Sequence, residues 1–216
     1  PPVLGVFEDD PTLGQCFVMD RINGETLGRK ILRDAEYAEA RKILARQCGG
    51  ALAGIHSISP DTLPELPVSN GINQLEKYEA IYRSFKLPRP VFELAFSWLK
   101  ANAPEPLPVV LVHGDFRLGN LMVSEQGLAS VLDWELAHIG DPREDIAWLC
   151  VNSWRFGNAE KRVGGFGDLP DLALGQELGF VHEDRVNRVN VLLRLDQAEK
   201  VCIRRIEHGL SRDTDP

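Results

Sequence analysis

The feature that most constrains this chain is the stretch 113–145, HGDFRLGNLMVSEQGLASVLDWELAHIGDPRED. A short apolar run at 109–112 leads into it and reads as a buried strand. A polar turn with a glycine, 117–120, comes next. Two further apolar runs, 121–123 and 128–132, flank Glu125-Gln126-Gly127, the pattern of a β-hairpin with a glycine in its loop. Such a hairpin folds Asp133 back toward Asn120, although thirteen residues separate them. Asp115 sits on the loop just before it. The expectation is that the oxygen-bearing side chains of Asp115, Asn120 and Asp133 converge on one point.

Carboxylate and amide oxygens suit Mg²⁺, which takes a few protein oxygens together with waters and substrate phosphates. A nearby Asp that is not a ligand can accept a proton from a hydroxyl. That division of labour is the one phosphoryl transfer requires. The spacing H-x-D-x-x-x-x-N followed by a separate Asp matches the catalytic and metal loops of protein kinases, with Gly114 where those carry Arg and Asp133-Trp134-Glu135 where they carry D-F-G. With those changes, HGDFRLGNLM, VLDWELAHIGDP and EDIAWL resemble the aminoglycoside phosphotransferase family of small-molecule kinases.

Taken singly, these residues have plainer readings. A Gly-Asp pair is usually a turn, His113 alone a satisfied buried histidine, and Asp145 alone a solvated helix residue. A metal-dependent phosphohydrolase would use His113, Asp115, Asp133 and His138 as ligands. A pseudokinase would bind the nucleotide without turnover. The order and spacing of the whole set favour the kinase.

Composition narrows the partners. Twenty-four Lys and Arg stand against 32 Asp and Glu, a net charge of −8. That disfavours nucleic acid, which calls for a basic surface, while Mg²⁺ and a few local cations can still hold ATP. Cys16, Cys48, Cys150 and Cys202 are far apart with no C-x-x-C, as for free thiols in a reducing, cytoplasmic setting. No apolar run reaches membrane-spanning length.

Along the chain, 3–7 and 15–19 read as a strand hairpin. A helix is expected from an Asp34 N-cap through Tyr37, Leu44, Cys48, Ala51, Leu52 and Ile55, with Gly49, Gly50 and Gly54 permitting close packing and His56 in a structural role. Residues 57–71 read as a loop. Helices follow at 74–85 and 91–101, whose aromatic stripes (Tyr78, Tyr82, Phe85; Phe92, Phe96) are expected in the core. Asp141, as N-cap, and Pro142 open a helix carrying Ile146, Ala147, Leu149 and Cys150 inward. The glycine-rich segment 154–167 contains G-G-x-G but has neither a preceding strand nor a following Lys-Ser or Lys-Thr, so it is taken as a loop beside the substrate. Helices are expected at 169–178 and 183–209, and 211–216 reads as a frayed tail.

The resemblance implies an α+β, protein kinase-like fold: a mostly helical large lobe with a short catalytic β-hairpin, and a small N-terminal lobe largely missing. Residues 1–24 would be the remnant of that nucleotide lobe with its hinge, and 25–216 the catalytic and substrate lobe. In that frame Asp115 is the catalytic base, Asn120 and Asp133 are Mg²⁺ ligands, and His113 holds the catalytic loop in shape. Arg117 lies near the transferred phosphate or the substrate. Phe17, Val18, Met19 and Asp20 are the hinge that meets the adenine of ATP. Asp145 braces the catalytic loop through backbone N–H groups. The chain begins at Pro1 inside a strand, as a fragment does. The family's glycine loop, strand Lys and helix Glu are not found, and Lys30 and Glu36 follow the hinge and cannot replace them. Little activity is therefore expected of these residues alone. The segments W-R-F-G and G-G-F-G resemble the subgroup associated with acyl-CoA dehydrogenases, so association with such an enzyme is expected. Arg117, Arg143, Arg155 and Arg162 suit a small-molecule hydroxyl substrate that is anionic, such as a hydroxyacyl-CoA, unless they pair with nearby carboxylates.

Overall fold

A computed structural model describes residues 1–177. The helix at 183–209 and the polar tail anticipated from the sequence lie outside that range.

Strands β1 (Val3–Asp10) and β2 (Gly14–Met19) pair antiparallel as the first hairpin. The chain then crosses to the rest of the structure through Glu25. Its N–H donates to the Val123 carbonyl (2.8 Å) and its carbonyl accepts from the Val123 N–H (3.0 Å). The expected helix from Asp34 begins as a single 3₁₀ turn at Ala35–Tyr37 and continues as α2 (Ala38–His56), and a short helix not anticipated from the sequence, α1 (Gly28–Arg33), precedes it. Asp34 is not the cap of α2: its carboxylate takes the Arg33 Nε at 2.7 Å, and its backbone N–H closes α1 onto Lys30.

α2 is the central core element. Leu44, Cys48, Leu52 and Ile55 recur at helical spacing and are buried with Phe116, Leu118, Leu121, Val123, Leu149 and Phe166. Its opposite flank receives α6 (Leu169–Glu177) at very short range. A Cβ on Gly49 would lie 2.1 Å from the Leu172 carbonyl oxygen, and one on Gly175 would lie 2.0 Å from that of Arg46. Only glycine admits such a backbone-to-backbone crossing.

α3 (Gly71–Ser84) starts earlier than its apolar stripe suggests, because Asn70 caps it by accepting from the Asn73 N–H at 2.9 Å. It pairs with α4 (Pro90–Ala101). Their aromatic stripes do not enter the core: neither helix has a fully buried residue. Tyr82 packs on Phe92 (5.4 Å) and Phe96 (5.5 Å), while Tyr78, Phe85, Leu87 and Leu94 stay exposed. An amphipathic stripe satisfied by one neighbouring helix has the same sequence signature as one facing a core.

β3 (Val110–Val112) pairs antiparallel with β6 (His138–Gly140), and β4 (Leu121–Ser124) with β5 (Gly127–Val131). The second pair is the hairpin read from 121–132. α5 (Arg143–Cys150) follows β6. Asp141 opens it by accepting the Arg143 N–H on Oδ1 and the Glu144 N–H on its carbonyl (both 2.9 Å). The glycine-rich 163–167 segment is buried, with Phe166 in the core and the Gly164 N–H on the Leu149 carbonyl (3.1 Å). It is a packing element and not a loop open to substrate, as its sequence had suggested.

Cys48 and Cys150 are buried free thiols and Cys16 is half-buried. Burial pushes the Cys150 thiol up to about 12 and that of Cys48 higher still, so both stay protonated. No helix among the described residues is long and apolar enough to cross a membrane.

Candidate active site

Two loops meet at the ends of β3 and β5. The first, residues 113–120, leaves β3 and reaches β4 through a 3₁₀ turn at Leu118–Asn120. The second, 132–137, leaves β5 for β6. Asn120 joins them: its carbonyl accepts the Leu132 N–H at 2.9 Å, which extends the hairpin ladder to the residue before Asp133.

His113 has no exposed surface and ties the loops from beneath. Its Nδ1 accepts the Asp115 N–H at 3.2 Å, which leaves the proton on Nε2. Nε2 donates to the Leu132 carbonyl at 2.9 Å. The ring meets Phe116 edge-on at 5.9 Å and Trp134 at 4.7 Å. With both nitrogens engaged, His113 is not available to a metal. His138 is likewise engaged, through Nδ1 with the Leu136 carbonyl (2.9 Å) and through Nε2, 3.3 Å from Glu144 Oε2. The hydrolase reading, with these histidines as ligands, fails on that geometry. Among the described residues no cluster of three or more His, Cys, Asp or Glu is placed to hold a metal.

The Asp115 carboxylate lies at the mouth of the first loop. Arg117 Nε donates to Oδ1 (3.0 Å) and Oδ2 (3.1 Å), and Asn120 Nδ2 donates to Oδ2 (2.6 Å) and to the Asp115 carbonyl (3.0 Å). The indole N–H of Trp148 donates to Oδ1. With its amide nitrogen turned to Asp115, Asn120 keeps Oδ1 as the acceptor it can offer a cation. Asp133 stands just past the hairpin ladder. Its carboxylate is exposed and makes no hydrogen bond among the described residues, and its φ is +66°. Left-handed backbone is uncommon outside glycine and tends to collect at functional sites. Carboxylate and amide oxygens are donor types that fit Mg²⁺, and the hairpin ladder ends between the residues that carry them here.

Asp145, on α5, is fully buried and supports the first loop. Its Oδ2 accepts the His113 N–H (2.9 Å) and faces His56 Nε2 (3.1 Å), and its Oδ1 accepts the Gly114 N–H (2.9 Å). Gly114 itself has φ +81°, and a Cβ there would lie 2.4 Å from the Leu136 carbonyl oxygen. The two loops therefore touch backbone to backbone at this glycine.

Phe17, Val18 and Met19 are exposed at the end of β2, and the Asp20 N–H donates to the Pro2 carbonyl at 3.0 Å. No hydrogen bond or ion pair among the described residues joins them to the Asp115 cluster. Two of the arginines read as acceptor contacts are placed otherwise. Arg143 is buried on Asp141 and the Glu105 carbonyl, and Arg155 is buried on the Cys150 and Ala159 carbonyls. A guanidinium taken from water needs internal partners; Arg143 finds them for Nε and one terminal nitrogen and Arg155 on backbone carbonyls, so neither is turned to an acceptor substrate. Sequence reasoning missed Trp148 and Trp154. Trp148 lies one helical turn beyond Asp145, and Trp154 carries the Arg117 guanidinium 4.5 Å from its ring centre. The i, i+3 spacing from Asp145 was the available signal.

Solved structures similar to this chain include aminoglycoside phosphotransferases. An aminoglycoside phosphotransferase in complex with GDP and kanamycin aligns over 100% of this chain and 71% of its own, with TM-score 0.64 and 19% identity. A putative aminoglycoside phosphotransferase from Ralstonia eutropha aligns over 86% and 57%, with TM-score 0.58 and 24% identity. At those identities the likeness establishes the fold, which is the kinase-like one. Curated relatives include mouse acyl-CoA dehydrogenase family member 10, 37% identical over 81 residues, covering 36% of this chain and 8% of that protein. A probable acyl-CoA dehydrogenase of Arabidopsis thaliana is 28% identical over 169 residues, 70% of this chain and 20% of its own length. The chain thus spans a fifth or less of these relatives. The model of the phosphotransferase enzyme family matches residues 1–178, and it takes in both loops, α5 and the first hairpin. This chain belongs to the phosphotransferase enzyme family.

Proposed function

We propose that this chain is the catalytic lobe of an ATP- and Mg²⁺-dependent kinase that phosphorylates a hydroxyl of a small molecule. The observation that carries the reading is the Asp115 carboxylate held against Asn120, with the free Asp133 carboxylate following in the same hairpin. Asn120 Oδ1 and Asp133 would hold Mg²⁺, which neutralises charge on the nucleotide phosphates. The acceptor oxygen attacks the γ-phosphorus, the bond to the β-phosphate oxygen breaks, and ADP leaves. Asp115 orients the hydroxyl and takes its proton. Arg117, already at Asp115, supplies positive charge as the phosphoryl group passes. His113 and Asp145 keep the loop in register.

Residues 1–24 are read as the edge of the nucleotide lobe, with Phe17, Val18, Met19 and Asp20 as the adenine hinge, and residues 25–216 as the catalytic lobe. The glycine loop and strand Lys that clamp phosphates in kinases are not among these 216 residues. Electrostatic catalysis loses most of its effect when half the donors are missing. These residues alone should therefore turn over slowly, and much faster when joined to a nucleotide lobe. An anionic hydroxyacyl-CoA acceptor and association with an acyl-CoA dehydrogenase are in keeping with the relatives' names and with Arg117 at the site, while the cytoplasmic setting rests on the free cysteines alone. The buried Arg143 and Arg155 lend them no support.

The test is ADP release by the wild type and by Asp115→Asn. A positioned general base contributes about 10²–10⁴-fold, so the variant should lose that much turnover while still binding Mg·ATP. Turnover equal to an active wild type would mean a different base, and nucleotide binding without turnover in either protein would leave the pseudokinase.

A further inference from the structure

α5 grips the catalytic loop at two points one turn apart. Asp145 holds the backbone of His113 and Gly114, and Trp148 reaches the Asp115 carboxylate itself, 33 residues away in sequence. Trp148 meets Trp154 edge-on (5.7 Å, 67°), Trp154 carries the Arg117 guanidinium, and Arg117 returns to both oxygens of Asp115. Three side chains, Trp148, Trp154 and Arg117, close a ring through the base. Trp148 remains 37% exposed, so burial is not its main contribution.

A carboxylate offers about four lone-pair sites, and Arg117, Asn120 and Trp148 direct donors at all of them. An acceptor hydroxyl needs one of those sites. Arg117 is the donor able to leave, because its charge is wanted on the transferred phosphoryl group. Once it turns away, Asp115 keeps Asn120 on Oδ2 and Trp148 on Oδ1. One donor on each oxygen fixes the carboxylate plane and leaves a free lone pair on each for the incoming proton. Without Trp148 the plane can rotate about the Cβ–Cγ bond, and the reacting pair loses alignment.

We propose that Trp148 is a positioning residue for phosphoryl transfer, its indole N–H holding the base in the orientation that receives the acceptor proton. The proposal rests on the phosphotransfer reading above, and its test separates the two. In the full chain, Trp148→Phe keeps the ring and removes the N–H. Turnover is followed with Mg·ATP and either water or 3-hydroxybutyryl-CoA as acceptor. The variant should lower kcat about tenfold, the effect of one charge-assisted hydrogen bond, with KM for Mg·ATP within about twofold. An unchanged kcat alongside an inactive Asp115→Asn overturns the positioning role and leaves the phosphotransfer reading intact. An Asp115→Asn that matches wild type overturns the phosphotransfer reading, and the positioning role with it.

A second measurement needs neither turnover nor a variant at Trp148 that folds. The Trp148 indole ¹⁵N–¹H resonance should move when Asp115 is changed to Asn. A resonance that stays in place overturns the proposal.

Discussion

Asp145→Asn is the perturbation that bears most heavily on how the site is held. The wild-type carboxylate has no exposed surface and faces three donors: the His113 N–H and Gly114 N–H at 2.9 Å each and His56 Nε2 at 3.1 Å. Asparagine preserves the shape but offers one acceptor oxygen and one amide donor. If its oxygen takes the Oδ2 place, the amide nitrogen points at the Gly114 N–H, and that donor is left unsatisfied. If the oxygen takes the Oδ1 place, the His113 N–H is the one lost. A buried hydrogen bond to a charged group contributes about 1.5–3 kcal/mol, and an unsatisfied buried N–H costs about 1–3 kcal/mol. Removing the buried charge returns part of that through lower desolvation. The net loss should be about 2–4 kcal/mol, a large share of the roughly 5–15 kcal/mol that stabilises a typical domain. Urea denaturation of wild type and variant measures it as a fall in midpoint at constant slope. Turnover should fall as well, because the loop carrying Asp115 loses its anchor. A stability change below about 0.5 kcal/mol, the scale of an ordinary surface substitution, would refute the claim that Asp145 anchors the catalytic loop.

Further outcomes follow from the same geometry. Gly114→Ala places a side chain at φ +81° and against the Leu136 carbonyl, so the two loops must separate. Left-handed backbone alone costs about 1–2 kcal/mol, and the urea midpoint should fall by at least that, with a parallel loss of kcat. The Glu144 carboxylate holds the His138 pKa above the ordinary imidazole value, against the opposing effect of burial. That stabilisation is complete below the unfolded value of about 6.5 and is lost as pH rises through the higher folded value. The stability gap between wild type and His138→Gln should therefore be widest near pH 5.5 and shrink through neutral pH. A gap that widens toward alkaline pH would contradict the pairing.

How much of this was legible in the sequence depended on how local the cause was. The β4–β5 hairpin was readable because Gly127 and two short apolar runs define it within a dozen residues. The return of Asp133 toward Asn120 follows from that register alone. The kinase-like spacing located the loop, since backbone turns between His113 and Asn120 fix where each side chain can stand. The failures arose where a pattern has two equivalent solutions. Tyr82, Phe92 and Phe96 satisfy one another between α3 and α4 instead of entering the core. Arg143 and Arg155 look like surface cations until carbonyls 38 and five residues away claim them. Gly164 and Gly165 suggest a ligand loop, whereas here they let a turn pack beneath α5. Trp148 was not read as a partner of Asp115, because its spacing from Asp145 is a faint signal for a contact with a loop 33 positions upstream.

The account stands on Asn120 and Asp133 sharing a cation beside Asp115, and paramagnetic broadening by Mn²⁺·ADP measures that most directly. Manganese in place of magnesium should bleach the Asn120 side-chain amide and the Asp133 backbone amide first, and Asp133→Ala should abolish the broadening at Asn120. Broadening centred elsewhere on the molecule, or unchanged in Asp133→Ala, would contradict it.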